Sequence, residues 1–373
     1  MNEIFKKTTI NGLVLENRLV RSATWEGMCD DDGRPTPQLD SCYQDLARGK
    51  VGLIISGYTF VRPDGKQLPK KMGIHTDDFA EEMKRLTATV HDAGGKICMQ
   101  IVHAGGQTSS ASAGRQPLAP SAVEVEQFPE KPAEMTQQDI GEIITAFAQA
   151  ARRAKEYGFD AVQLHGAHGY LINQFLSPLT NKRVDEYGGS IEKRCRFLME
   201  IYRAVRNIVG ADYPVMAKLN GDDFLDGGLQ ATDAVYAAKL LDQSGIDAIE
   251  VSGGTPASGD HNPIRVKIKT PDQEAYNLGL AEQIKKEVSC PVMVVGGFRS
   301  LEVIEKVLHD GAADYISLAR PLVREPDLAK RWMSGDRAPA RCISCNGCFK
   351  PGLKGEGIYC IVKKKEQEEN KKG

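Results

Sequence analysis

The sequence predicts a (β/α)8 barrel, an α/β fold of the TIM type. Eight short apolar, β-branched runs recur along the chain, most follow a glycine or proline, and they alternate with amphipathic stretches that have recognisable helix ends. The runs cover 19–24, 51–56, 97–102, 161–165, 215–219, 248–252, 292–296 and 315–319. Near-continuous apolar strands joined through helices imply a parallel sheet covered on its outside, and eight repeats favour closure over an open doubly wound sheet. No Gly-x-Gly-x-x-Gly follows an early strand to support a dinucleotide-binding half. A barrel with insertions also suits the length of 373 residues.

Taken in order, the first element is "TTINGLVLENR", where Asn11-Gly12 between alternating residues reads as a hairpin with a type I′ turn, suited to closing the bottom of the barrel. The third strand leads into a long polar segment over 104–135, rich in proline and glycine, of the kind found in lids and binding loops. A helix starts after Thr136, runs through Ile140, Ile143, Ile144 and Phe147, and ends near Gly158. Another starts after Ser300, runs through Val303, Ile304 and Val307, and ends near Gly311. A cysteine-rich end follows the last strand, and the charged tail over 363–373 is expected to fray. The expected division is a barrel over 1–335 and a cysteine-rich extension with its tail over 336–373.

With 41% hydrophobic and 26% charged residues and a net charge of −2, the composition is that of an ordinary globular protein. There is no basic excess to neutralise nucleic-acid phosphates. The first residues lack an apolar signal core, and no stretch approaches the roughly 20 apolar residues that span a bilayer. The expected location is the cytoplasm, with neither nucleic acid nor membrane as partner. Of nine cysteines, Cys29, Cys42, Cys98, Cys195 and Cys290 stand singly, whereas Cys342, Cys345, Cys348 and Cys360 crowd the end. That pattern favours reduced thiols plus a metal site over a disulfide framework.

A barrel of this kind carries its site at the carboxyl ends of the strands. Ser22, Thr24, Ser56, Gln100, His103, His165, His168, Lys218, Asn220, Ser252 and Arg320 collect there. Lys218, inside the apolar "VMAKL", is costly to bury unless it meets an anion. Strands seven and eight end in Gly296-Gly297 and Ala319-Arg320, which suit a phosphate held by backbone N–H groups and a guanidinium. "QLHGAHGYL" admits three readings. A zinc clamp would want a third ligand and a helical spacing, and satisfied core histidines would be purely structural. The third is a pair of imidazole donors, His165 and His168, aimed at one substrate oxygen with Tyr170 beside them as proton donor.

The run "HGAHGYLINQFLSPLTNKRVDEYGGSIEKRCRF" resembles the signature of the old yellow enzyme family of FMN-dependent ene-reductases. "ENRLVRSAT", "GLIISGYTFVRPDG", "QIVHAGGQ" and "YISLARPLVREPDL" are similar to further stretches of that family in the same order. The resemblance implies a barrel holding FMN, with Ser22, Ala23, Thr24, Gly57 and Tyr58 lining the flavin and Gln100 on its pyrimidine edge. It implies Gly297, Ala319 and Arg320 at the phosphate and Lys218 as a cation near flavin N1 and O2. It further implies NAD(P)H as electron donor and reduction of the carbon–carbon double bond of α,β-unsaturated carbonyl compounds, with His165 and His168 on the carbonyl oxygen and Tyr170 protonating the α-carbon.

Three departures accompany the resemblance. Trp25 stands where many relatives carry a cysteine or threonine that tunes the flavin, and Gly106-Gln107 replace a basic pair. The end is Cys-x2-Cys-x2-Cys-x11-Cys and resembles the [4Fe–4S] site of the branch that includes 2,4-dienoyl-CoA reductase and 2-enoate reductase, with one residue fewer between the second and third cysteines. Four thiolates ligate an iron–sulfur cluster or a tetrahedral zinc. The larger members carry FAD- and NAD-binding domains beyond the cluster. NAD(P)H docking on FMN, or a redox partner protein feeding the cluster, are therefore alternative electron sources, and a second copy of the chain is a further candidate partner. The rival activities are a flavin/iron–sulfur dehydrogenase of trimethylamine dehydrogenase type and an electron-transfer flavoprotein.

Overall fold

Eight parallel strands close on themselves in the computed structural model, which describes residues 3–371. They are β1 (Leu19–Arg21), β2 (Leu53–Ile55), β3 (Ile97–Val102), β4 (Ala161–Gly166), β5 (Val215–Asn220), β6 (Ala248–Ser252), β7 (Val292–Val295) and β8 (Tyr315–Leu318). Each pairs with the next, and Ile316 of β8 lies opposite Leu19 of β1, so the barrel has no open edge. All eight runs picked out by the sequence are strands of the barrel.

Helices α1 (Pro37–Arg48), α2 (Ala80–Asp92), α3 (Gln137–Glu156), α4 (Arg196–Val209), α5 (Ala231–Gln243), α6 (Leu278–Lys285), α7 (Leu301–His309) and α8 (Leu328–Met333) follow the strands in turn. In α3 the buried side chains Ile140, Ile143, Phe147, Ala151 and Ala154 recur at helical spacing and cover the barrel wall. Its start is a capping box: Asp139 N donates to Thr136 Oγ1 and Thr136 N donates to Asp139 Oδ2.

Inside the barrel, alternation along each strand stacks side chains in layers. The lowest is apolar and includes Cys98, Ala161, Met216, Ala248, Met293 and Tyr315. Ile10 and Leu15, from the hairpin strands Thr8–Ile10 and Leu13–Leu15, join it from below, and Thr8 Oγ1 meets the Tyr315 hydroxyl at 2.9 Å. The hairpin turn has φ of 42° at Asn11 and 77° at Gly12, the positive pair that a type I′ turn requires. Two residues further along the strands, Gln100, Gln163, Lys218, Glu250 and Ser317 form a second, polar layer, completed by Ser22 just beyond β1. His165, Asn220 and Ser252 stand above it.

The segment over 104–135 is less irregular than its composition suggests. It folds into the short helix Ser110–Ala113 and a strand pair, Leu118–Ala119 with Ala133–Glu134. The charged tail, expected to fray, is a helix over Ile361–Asn370, and its last two residues lie outside the described ones. Arg324 holds it through a two-pronged bond to Glu366 at 2.8 and 2.9 Å, and Lys363 Nζ donates to the Arg324 carbonyl. Sequence position near the end implied fraying; these tertiary contacts are what the local sequence does not encode. Among the described residues no helix is long and apolar enough to cross a membrane.

Candidate active site

The carboxyl ends of the strands open into a cavity of about 560 Å³. Its wall gathers Ser22, Ala23, Thr24 and Trp25 from the exit of β1, Tyr58, Gln100, and His165, His168 and Tyr170 from the exit of β4. Lys218, Gly297, Ala319 and Arg320 complete the set. Two expected members lie outside it. Gly57 is held behind the wall, where its N–H donates to Tyr43 Oη at 2.9 Å and to Glu26 Oε1 at 3.2 Å. Gly296 sits behind Gly297, with its carbonyl accepting from Tyr276 N. His103 faces the framework as well: its Nδ1 accepts from Gly105 N and its Nε2 donates to Asp64.

His165 is 2% exposed, with its ring centroid 4.8 Å from Tyr170 and 5.2 Å from His168. Burial pushes its imidazole well below the ordinary range, and the neighbouring His168, Lys218 and Lys71 push the same way. Burial does the same to His168, with Lys218 adding to it. Each ring is therefore neutral and carries one N–H to donate. His168 adopts φ of 61°, its N–H donates to Asn220 Oδ1, and its Nε2 lies 2.7 Å from Ser252 Oγ. His165 Nδ1 is buried without a partner. Burial pushes the Tyr170 phenol up to about 12. Its hydroxyl donates to Gln67 Oε1 at 2.6 Å, and Tyr58 donates to the same oxygen at 3.2 Å.

Sequence reasoning missed Gln163, Glu250, Gln67 and Ser317. For the first two a signal existed: "AVQLH" and "AIEVS" place a polar residue two positions from the next inward polar one, in register with Gln100 and Lys218. Trp25 does reach the cavity, but its Nε1 donates to the Pro69 carbonyl at 3.2 Å. Its ring packs closely on Gly352, where a Cβ would approach it to 3.0 Å.

A flavin fits the polar complement of this cavity. Gln100 Oε1, Gln107 Oε1, His165 Nδ1 and Ser317 Oγ are all buried without partners on residues that line it. Native interiors rarely leave such a group unpaired, and a heteroaromatic ligand with several polar edges would satisfy it.

The four clustered cysteines line a second, small cavity of about 20 Å³, and Arg320 and Asn346 border both cavities. Gly347 N approaches Cys345 Sγ and Lys363 N approaches Cys360 Sγ, each at 3.5 Å, while Arg324 Nη1 lies 3.6 Å from Cys360 Sγ. Among the described residues no group of three or more His, Cys, Asp or Glu side chains is drawn together to hold one metal ion.

A flavin-sized cavity at the mouth of a closed barrel, with neutral imidazoles facing a lysine, agrees with what the whole sequence matches. The chain belongs to the NADH:flavin oxidoreductase / NADH oxidase family, whose model matches residues 3–337. It is 40% identical to an NADH oxidase of Thermoanaerobacter brockii over 96% of this chain and 58% of that protein, so it spans little more than half of that relative's length. It is 39% identical to an NADPH dehydrogenase of a Geobacillus species, covering 87% of this chain and 91% of that one. The structure of the old yellow enzyme homologue from Zymomonas mobilis superposes with a TM-score of 0.80 at 26% identity, over 97% of this chain and 98% of the other.

Proposed function

We propose that this chain binds FMN and reduces the carbon–carbon double bond of α,β-unsaturated carbonyl compounds with electrons from NAD(P)H. The observation that carries the reading is the gathering of two donor sets in one cavity: His165, His168 and Tyr170 at the exit of β4, and Gln100 and Lys218 at its floor. FMN, when bound, supplies the hydride chemistry that no side chain can.

The residues of the chain supply the rest. His165 and His168, both neutral, donate hydrogen bonds to the substrate carbonyl oxygen and stabilise the negative charge that develops on it. Ser252 steadies His168 from behind. Tyr170 keeps its proton at working pH and delivers it to the α-carbon, leaving its hydrogen bond to Gln67 as it does so. Lys218, with Gln100, would hold the flavin ring from the floor of the cavity, and Arg320 with Gly297 would take its phosphate. Cys342, Cys345, Cys348 and Cys360 hold an iron–sulfur cluster in the same reading, and the shared border at Arg320 and Asn346 supports a redox partner as a second electron source beside NAD(P)H.

The test is anaerobic. Protein loaded with FMN is bleached with NADH or NADPH and then mixed with an enone, and the return of the flavin absorbance is followed. His165→Ala combined with His168→Ala is expected to slow that return by about 10²-fold or more, on the scale of lost oxyanion donors. An unchanged rate would remove the proposed carbonyl chemistry.

A further inference from the structure

The cavity floor contains two buried charges. Glu250 is 0% exposed and Lys218 is 2% exposed. Lys218 Nζ lies 3.4 Å from Glu250 Oε1 and donates to Ser22 Oγ at 2.8 Å, while Ser22 Oγ donates to the same carboxylate oxygen at 2.7 Å. The other oxygen, Oε2, accepts from Gln163 Nε2 at 3.0 Å, and Gln163 Oε1 accepts from Gln100 Nε2 at 2.7 Å.

The direction of this chain follows from one fact: a carboxylate only accepts. Gln163 must turn its amide nitrogen to Glu250, which leaves its oxygen for Gln100. Gln100 must answer with nitrogen. Its own oxygen is left buried and unpaired, on a residue that lines the cavity. One anion two residues away thus decides which end of the Gln100 amide is free. The same anion balances Lys218, so the pair brings no net charge to the floor. Burial pulls the Lys218 ammonium down and the Glu250 carboxylate opposes that pull.

We infer that Glu250 is the positioning residue of the flavin floor: acting through Gln163 it presents the Gln100 carbonyl oxygen as an acceptor for a ring N–H, and by neutralising Lys218 it holds down the reduction potential of the bound flavin. The inference rests on the FMN reading above. Reduction adds negative charge to the ring, and an unpaired ammonium in a low-dielectric floor would stabilise that charge more than a neutral pair does.

The experiment measures the FMN dissociation constant by flavin fluorescence and the potential by dye-coupled titration. It compares the unmodified chain with Glu250→Gln, Glu250→Asp, Gln163→Met, and Glu250→Gln in a Lys218→Met background. Glu250→Gln is expected to shift the oxidised-to-reduced equilibrium about tenfold toward reduced flavin, about 30 mV for two electrons, with Glu250→Asp staying close to the unmodified chain. In the Lys218→Met background the shift is expected to vanish. Gln163→Met, which keeps the ion pair and cuts the relay, is expected to weaken FMN about tenfold, the scale of a hydrogen bond in a charged network. A potential in Glu250→Gln indistinguishable from that of the unmodified chain overturns the inference. Should that variant not fold, unchanged FMN affinity in Gln163→Met overturns it instead. Failure of the unmodified chain to bind FMN sinks the flavin reading itself, and this inference with it.

Discussion

His165 and His168 show how a residue type acquires a role from its surroundings. An imidazole in water titrates near 6.5, but burial beside Lys218 depresses both rings well below that, and His168 adds to the depression of His165. The proton-bound form is lost as pH rises through a value far under neutrality, so both rings are neutral donors across the working range. The rate of flavin reoxidation by an enone is therefore expected to show no break between about pH 6 and 8. A stopped-flow pH series on the pre-reduced protein reads this directly, and a single ionisation near 6.5 would mean that one ring is exposed and charged. Trp25 makes the complementary point. Its position in the sequence implied a flavin contact, yet its only N–H is spent on Pro69, so the indole offers the cavity a flat apolar face.

At the scale of elements, the exits of β1 and β2 are locked to each other by a buried carboxylate. Glu26 accepts from Arg21 at 2.6 Å, from Tyr43 at 2.7 Å and from Gly57 N at 3.2 Å. All three bonds fall on Oε1, which thus belongs to the framework. A Cβ at Gly57 would stand 2.1 Å from Glu26 Oε2, and the carboxylate can shift away only by disturbing the ion pair and hydrogen bonds that its Oε1 makes. Gly57→Ala is expected to destabilise the fold by roughly 1–3 kcal/mol, the scale of overpacking, read as a lower midpoint in urea unfolding at unchanged slope. A midpoint equal to that of the unmodified chain would show that Glu26 has room to move. The same logic explains which helices were legible. α3 announces itself by Thr136 and a clean apolar stripe, whereas the tail helix has no buried face and exists through Arg324 and its partners, which no local pattern encodes.

For the whole molecule, the cysteine-rich segment returns across the barrel mouth. Ile358 N donates to the Glu26 carbonyl and Ala340 N to the Arg299 carbonyl, while Asn346, Phe349 and Leu353 complete the cavity wall. With an iron–sulfur cluster in place, anaerobically purified protein is expected to show a broad, bleachable absorbance beyond the flavin bands, and Cys348→Ala is expected to lose it while keeping bound FMN. Loss of neither feature would leave the four thiols without a cluster role. Sequence alone determined the barrel, since the period of apolar runs and the turn residues are local properties. It also marked Gln100, Lys218, His165, His168, Tyr170 and Arg320, because polar residues gathered at or just beyond the ends of apolar strands fall where a barrel carries its site. Tertiary structure alone decided that Gly57 and Gly296 stand behind the wall, that Gln163 and Glu250 join Lys218 in one polar layer, and that the cavity lined by the cysteines shares Arg320 and Asn346 with the larger one. Those facts depend on which strands become neighbours and in what register, and the energy of a buried charge is settled only by the partners that closure brings to it.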